Sequence, residues 1–254
     1  MDLQIILSPA KKMRVDTDSF PVRRLPRFLD NTEKLLDEMR RMDPASLQKL
    51  WKCNDQIAAL NVERLRDMDL RRNLTPAVLA YEGIAYQYMA PGVFTTDQLE
   101  YVAEHLRILS GFYGVLRPFD GVTPYRLEMG AKLSVGGHKD LYDFWGASLA
   151  ASLRNKTNLI VNLASKEYSQ AVEKHLTPDM RFLTVVFGEH VDGKTIEKGT
   201  MCKMARGEMV RYMAEHFIED PEQMKAFDRL GYRFCPVESD DDTYTFIKED
   251  ENHA

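Results

Sequence analysis

Apolar positions along this chain follow two different rhythms, and the change between them falls near its middle. In the first half they recur mostly at helical spacing. Asp30 can cap a helix whose apolar positions Leu35, Leu36 and Met39 follow. Asp43-Pro44 predicts a second start, a cap followed by proline in the first turn. Thr75-Pro76 predicts the same for a helix running toward Met89. Thr96 opens another, with Leu99, Val102, Ala103, Leu106 and Leu109 as its apolar face. The exception is Leu3–Leu7, a short apolar run bounded by Ser8-Pro9, which reads as a buried strand. In the second half Asn158–Leu163 and Arg181–Phe187 are further runs of this kind. They alternate with helical segments at Leu141–Leu153, from Ser165 through His175, and at Met201–Ile218. Tyr232–Val237 and Thr243–Ile247 flank the acidic turn ESDDD as the arms of an antiparallel hairpin would. With no internal repeat or low-complexity linker, the expectation is an α+β fold. It is a single domain over residues 1–254, with one mixed β-sheet surrounded by helices.

One segment fits neither rhythm. Ser110–Met129, SGFYGVLRPFDGVTPYRLEM, carries Pro118 and Pro124, which interrupt helix and remove sheet donors. Gly111, Gly114 and Gly121 permit close backbone approach. Phe112, Tyr113, Phe119 and Tyr125 are too many aromatics for a disordered stretch and call for burial. An ordered loop holding Arg117 and Arg126 in fixed places is expected, either as a functional loop or as a rigid connector.

Charge refines the picture. The formal net charge is −5, but from Glu215 onward 12 acidic residues face 4 basic ones, a net of −8. That leaves 30 basic and 27 acidic residues before this point, a net of +3, so a mildly basic body permits an anionic partner. Cys53, Cys202 and Cys235 are far apart and lack CxxC spacing, which points to a reducing compartment without disulfides or zinc. The start, MDLQIILSPAKK, reads as a strand and not as a signal peptide. No apolar run approaches the ~20 residues that a membrane helix needs. A cytoplasmic protein without a membrane partner is expected. Neither GxGxxG nor GxxxxGK occurs, and the histidines are isolated, so no cofactor and no metal are expected.

Candidate chemistry lies in four clusters. Ser8-Pro9-Ala10-Lys11-Lys12 follows the first strand, and Ser165-Lys166-Glu167-Tyr168 follows NLIVNL, where sheets of this kind gather ligand sites. The aromatic loop offers Arg117, Tyr125 and Arg126. Lys203 and Arg206 are neighbours on one helix, with Arg211 beyond. If these converge, Lys12, Arg117, Arg126, Lys166, Lys203 and Arg206 form a cationic cleft walled by Tyr125 and Tyr168, suited to phosphate or carboxylate. Glu128 and Glu167 then offset part of the charge and are candidate general bases, although no catalytic residue is assigned. The competing reading is that each cation only solvates a surface. Separately, Asp43–Leu65 reads as two short helices with a break near Cys53-Asn54-Asp55. Such a hairpin can place Lys49, Lys52, Asn54 and Arg64 against a phosphate backbone. It lacks the usual GxG, and Trp51, Ile57 and Leu60 serve packing equally well.

Several of these segments are long enough to carry a resemblance. ILSPAK (Ile6–Lys11), LSGFYGVLRPFD and PYRLEMG within Leu109–Gly130, and DLYDFWG (Asp140–Gly146) resemble the bacterial YaaA peroxide-stress resistance family. So do Val161–Tyr168 and KMARGEMVRY (Lys203–Tyr212). The resemblance covers nearly the whole chain. It implies a cytoplasmic protein that limits oxidative damage to DNA under peroxide, an effect tied to low unincorporated iron. It also implies an unusual topology, a positively charged cleft, and a DNA-binding helix-hairpin-helix-like element corresponding to Asp43–Leu65. Duplex DNA, bound without sequence preference, is the partner implied; the alternative is an enzyme for a small anionic or nucleotide-like ligand. The acidic segment 238–254, with Asp240, Asp241, Asp242, Glu249, Asp250 and Glu251, is expected to compete for the cleft or to act as a solubilising skirt.

Overall fold

The computed structural model describes residues 3–154 and 157–249. It opens with β1 (Leu3–Leu7), buried along its whole length, and the two-residue β2 (Lys12–Met13). An irregular crossing then leads to α1 (Leu29–Arg40), α2 (Pro44–Trp51) and α3 (Asp55–Asp67). Asp43 caps α2 by accepting the N–H groups of Ala45 and Ser46, and Asn54 caps α3 by accepting that of Ile57. Four short elements follow: β3 (Thr75–Pro76), α4 (Ala77–Ala80), β4 (Tyr81–Glu82) and α5 (Ile84–Met89). Next comes α6 (Thr96–His105), opened by a capping box between Thr95 and Gln98. The strands β5 (Leu106–Ser110), β6 (Gly114–Leu116) and β7 (Gly121–Val122) lead to α7 (Leu141–Trp145) and α8 (Ser148–Arg154). The remaining elements are β8 (Leu159–Leu163), α9 (Lys166–Glu173), β9 (Arg181–Val191), β10 (Lys194–Ile196) and α10 (Gly199–Glu215). The strands β11 (Tyr232–Phe234) and β12 (Thr243–Lys248) come last.

Eight strands make the main sheet, in the order β11-β12-β9-β8-β1-β5-β6, with β10 paired to β9. The five from β12 to β5 are parallel, and β6, β10 and β11 add antiparallel pairs. The sheet is therefore mixed and the fold α+β, as the sequence leads one to expect. β1, β5 and β8 are buried at every residue, which explains why a continuous apolar run, not an alternating one, marks such strands. Among the described residues no helix is long and apolar enough to cross a membrane.

Three local expectations need correction. The helix expected to continue through Leu109 stops at His105, because Leu106–Ser110 pairs with β1 in the register Ile5–Leu106, Ile6–Arg107 and Leu7–Ile108. Thr75-Pro76 starts no long helix; it pairs with Gly121–Val122, and the Thr75 hydroxyl accepts the N–H of Asp16 at 2.9 Å. Asp30 lies inside the first turn of α1, where its charge meets the positive end of the helix dipole, and Phe28 occupies the cap position. The acidic turn before β12 lies beside the start of β9, where Arg181 donates Nε to the Asp241 carbonyl at 3.0 Å. Asp250 and Glu251 lie outside the described residues.

α10 packs along α5 at a contact that excludes every side chain. A Cβ on Gly207 would stand 1.9 Å from the carbonyl oxygen of Ala85. Alanine normally gains about 1 kcal/mol over glycine inside a helix, but two backbones cannot yield as a flexible side chain can, and overpacking costs about 1–3 kcal/mol. Gly207→Ala is expected to lower stability by up to about 2 kcal/mol, read as a lower urea midpoint at unchanged slope. An unchanged or higher midpoint would show that the helices separate freely.

Candidate functional site

Parallel strands deliver their following loops to one edge of a sheet, and here β1 and β8 are adjacent. Their loops are stitched together directly. Ser8 Oγ donates to Ser165 Oγ at 3.2 Å and accepts the Ser165 N–H at 2.8 Å. Tyr86 of α5 donates its hydroxyl to the Ser8 carbonyl at 3.0 Å. The turn before α5 approaches so closely that a Cβ on Gly83 would meet the Cβ of Ala10 at 2.7 Å. Around these contacts opens a cleft of about 410 Å³.

Five cations line it, Lys11, Lys12, Arg126, Lys203 and Arg206, against three carboxylates, Glu82, Glu128 and Glu167. They fall into two kinds. Arg126 and Arg206 have side chains only 11% and 13% exposed. Arg126 reaches Glu128 at 3.4 Å and the Trp51 carbonyl at 3.4 Å. Arg206 donates one Nη to Glu197 at 3.0 Å, while its Nε is buried with no hydrogen-bond partner. The lysines are looser. Lys11 pairs with Glu128 at 2.8 Å and Lys12 with Glu82 at 2.9 Å, but their side chains are 66% and 79% exposed. Pairs of that exposure contribute at most about 1 kcal/mol and exchange readily for another anion. Lys203 is exposed and has no ion pair within 4.0 Å among the described residues. Glu167 is held by accepting the Gly130 N–H at 2.9 Å.

Tyrosines form the walls. Tyr86, Tyr125 and Tyr168 are all buried and line the cleft, and burial pushes each hydroxyl well above its ordinary pKa. They stay neutral hydrogen-bonding groups at physiological pH. Tyr125 is anchored to Tyr81 at 2.9 Å and Ser110 at 2.6 Å. The aromatic loop also closes on itself, because a Cβ at Gly111 would come within 3 Å of the backbone of Leu127 to Met129.

Of the expected cleft residues, Lys12, Tyr125, Arg126, Glu167, Tyr168, Lys203 and Arg206 do meet here. Two do not. Lys166 is exposed and outside the cleft, since it opens α9 and successive helical residues point about 100° apart, while Glu167 and Tyr168 take the inward directions. Arg117 belongs to a separate hollow with Arg24, Arg27, Arg107 and Asp120.

The α2–α3 hairpin stands beside the cleft, tied to it by the bond from Arg126 to the Trp51 carbonyl. Lys52 takes the left-handed conformation, φ 46°, at the C-terminal end of α2, where glycine is usual. Lys49 and Lys52 are exposed. Asn54 already uses its side-chain oxygen to cap α3. Arg64 is half-buried, and its guanidinium pKa is lowered by desolvation against a smaller opposing pull from Glu82. These two side chains are thus less available to a phosphate than the lysines. Among the described residues no three His, Cys, Asp or Glu side chains come together in a way that suits a metal ion.

A family model described as peroxide stress protein YaaA matches residues 3–238. The chain belongs to the YaaA family. It is 55% identical over 247 residues to a UPF0246 protein of Agathobacter rectalis, covering 97% of this chain and 99% of that one. UPF0246 proteins of Lachnoclostridium phytofermentans and Pediococcus pentosaceus are 52% and 51% identical, each match covering 98% of this chain and 98% or more of the relative. For this YaaA-family chain, Glu82 and Tyr86 are the cleft residues that sequence reading missed. The expected long helix from Thr75 hid them: the chain leaves helix at Ala80, Tyr81–Glu82 pair with β2, and Gly83, at the start of α5, lies against Ala10.

Asp120 is 2% exposed, and burial pushes its carboxyl up to about 7 despite the opposing pull of Arg24 and Arg107. A raised folded-state pKa means that its contribution to stability is present below about pH 4 and lost as pH climbs through about 7. Asp120→Asn removes this dependence, so its stability relative to the natural chain is expected to rise between about pH 4 and pH 8. Urea unfolding across that range measures it; a constant difference would mean that Asp120 is fully ionised in the folded state.

Proposed function

We propose that this protein acts in the peroxide-stress response by binding duplex DNA without sequence preference and limiting its oxidative damage. The observation that carries the reading is the cleft itself, where exposed Lys11, Lys12 and Lys203 rim the deeper Arg126 and Arg206, five cations against three carboxylates. Lys11, Lys12 and Lys203 can exchange weak local pairs for phosphates, and Lys49 and Lys52 extend the basic rim along the hairpin. No base-reading motif accompanies them, so affinity is expected to come from phosphate contacts. The tie to low unincorporated iron in the cytoplasm, which the family resemblance implies, belongs to the same proposal.

If about four phosphates are neutralised, affinity for a short duplex is expected to fall about 100-fold between 50 and 200 mM salt, equally for unrelated sequences. Lys203→Ala together with Lys12→Ala is expected to flatten that slope and reduce peroxide protection in cells without loss of folded protein. A salt-independent affinity, or strong preference for one sequence, would sink the proposal.

A second reading, an enzyme for a small anionic or nucleotide-like substrate, is favoured by one observation. The cleft volume lies in the range of ligand pockets, and its neutral tyrosine walls suit a ring stacked above an anion. Calorimetry with nucleoside monophosphates discriminates the two. Binding that Tyr168→Ala abolishes while duplex affinity persists would favour the small substrate.

A further inference from the structure

The hollow that takes Arg117 has the character of a built site. Arg107 lies on β5 and Arg117 directly follows β6, the strand paired with it, and both line this hollow. Like charges brought together repel, and Arg24 and Arg27 line the same space. Among the described residues Asp120 is the one acidic residue lining it. Its Oδ2 accepts the Arg117 N–H at 2.9 Å, but its Oδ1 is buried without a hydrogen-bond partner, and Arg24 Nε stands 4.0 Å away. Arg107 is 7% exposed and donates Nη1 to the carbonyls of Ala103 and Leu106. Among the described residues, the side chains of Arg24, Arg27 and Arg117 make no hydrogen bond to the protein. Four arginines therefore line a space of about 290 Å³ with most of their donors unspent, Arg24 and Arg27 at its exposed side.

We propose that this hollow is a second binding site, distinct from the cleft, for the terminal phosphate or diphosphate group of a small molecule. Arginine forks match phosphate oxygens in pairs, and an anion among the four arginines offsets their mutual repulsion. The depth of Arg107 selects the class of ligand. A narrow terminal phosphate can reach a guanidinium that is 7% exposed, whereas the phosphates of a duplex are held at the surface of a wide cylinder. Asp120 fits the same ligand: burial raises its carboxyl pKa to about 7, so it opposes an anion less than a fully ionised carboxylate would. The hollow shares no lining residue with the cleft, so the two can be occupied together.

Isothermal titration with pyrophosphate tests this on three proteins: the natural chain, Arg126→Ala/Lys203→Ala in the cleft, and Arg24→Ala/Arg117→Ala in the hollow. Arg107 is left alone because it supports the end of α6. The cleft variant is expected to keep a pyrophosphate site, and the hollow variant to lose at least about tenfold in affinity for it. Circular dichroism and urea unfolding confirm that each variant is folded. Pyrophosphate binding that survives in the hollow variant and vanishes in the cleft variant would overturn the proposal, as would no binding to the natural chain. A short duplex supplies the last arm. If Arg24→Ala/Arg117→Ala weakens duplex affinity and leaves pyrophosphate affinity unchanged, the hollow reads nucleic acid and the small-molecule assignment is wrong.

Discussion

The cleft depends on β1 being paired on both sides. Its five residues have no exposed edge and no exposed face: β8 runs along one flank, β5 along the other, and helices cover the sheet. A strand in that position cannot slip by one residue without moving every side chain to the opposite face. The loop that follows it therefore starts from a fixed point, and Ser8 can reach Ser165 across the neighbouring strand end. Everything further out is placed relative to that stitch, including Tyr86 above it and the short β2–β4 pair that presents Lys12 beside Glu82.

Electrostatically, the cleft is a compromise between stability and readiness. Five cations gathered without carboxylates would repel one another strongly, and five fully paired cations would have nothing left to offer. The arrangement lies between. Buried Arg126 and Arg206 hold positions through backbone and carboxylate bonds, while exposed lysines carry pairs weak enough to be exchanged. Directional hydrogen bonding comes from the arginines, and long-range attraction from the lysines, whose contribution salt screens.

Much of this was legible in the sequence wherever one physical signal dominated. β1 and β8 announce themselves because strands buried at every residue are mostly apolar, and β9 because RFLTVVF is rich in β-branched and aromatic residues. The cap at Asp43-Pro44 was legible because its hydrogen bonds are local. β5 was not, because Leu106 and Leu109 continue the helical spacing of α6; only pairing with a strand about a hundred residues earlier ends that helix. Thr75-Pro76 looked like a helix start for a similar reason, its true partner being Gly121–Val122. The cleft followed the same rule. Cations at strand ends and on α10 could be grouped by reasoning about where strands deliver loops, while the outward turn of Lys166 and the departure of Arg117 depend on local direction that composition does not encode.

The aromatic loop has a consequence for how this architecture can change over time. Arg117 and Arg126 lie nine positions apart in a segment whose backbone closes on itself at Gly111, and they serve different hollows. The segment is in effect a gauge block with a cation fixed near each end. Adding or removing a residue between them displaces at least one cation, and the buried aromatics leave no slack to absorb the change. Length variation is thereby steered elsewhere, to places such as the exposed turn at Asp192-Gly193 between β9 and β10, where chain can be gained or lost without either hollow being disturbed.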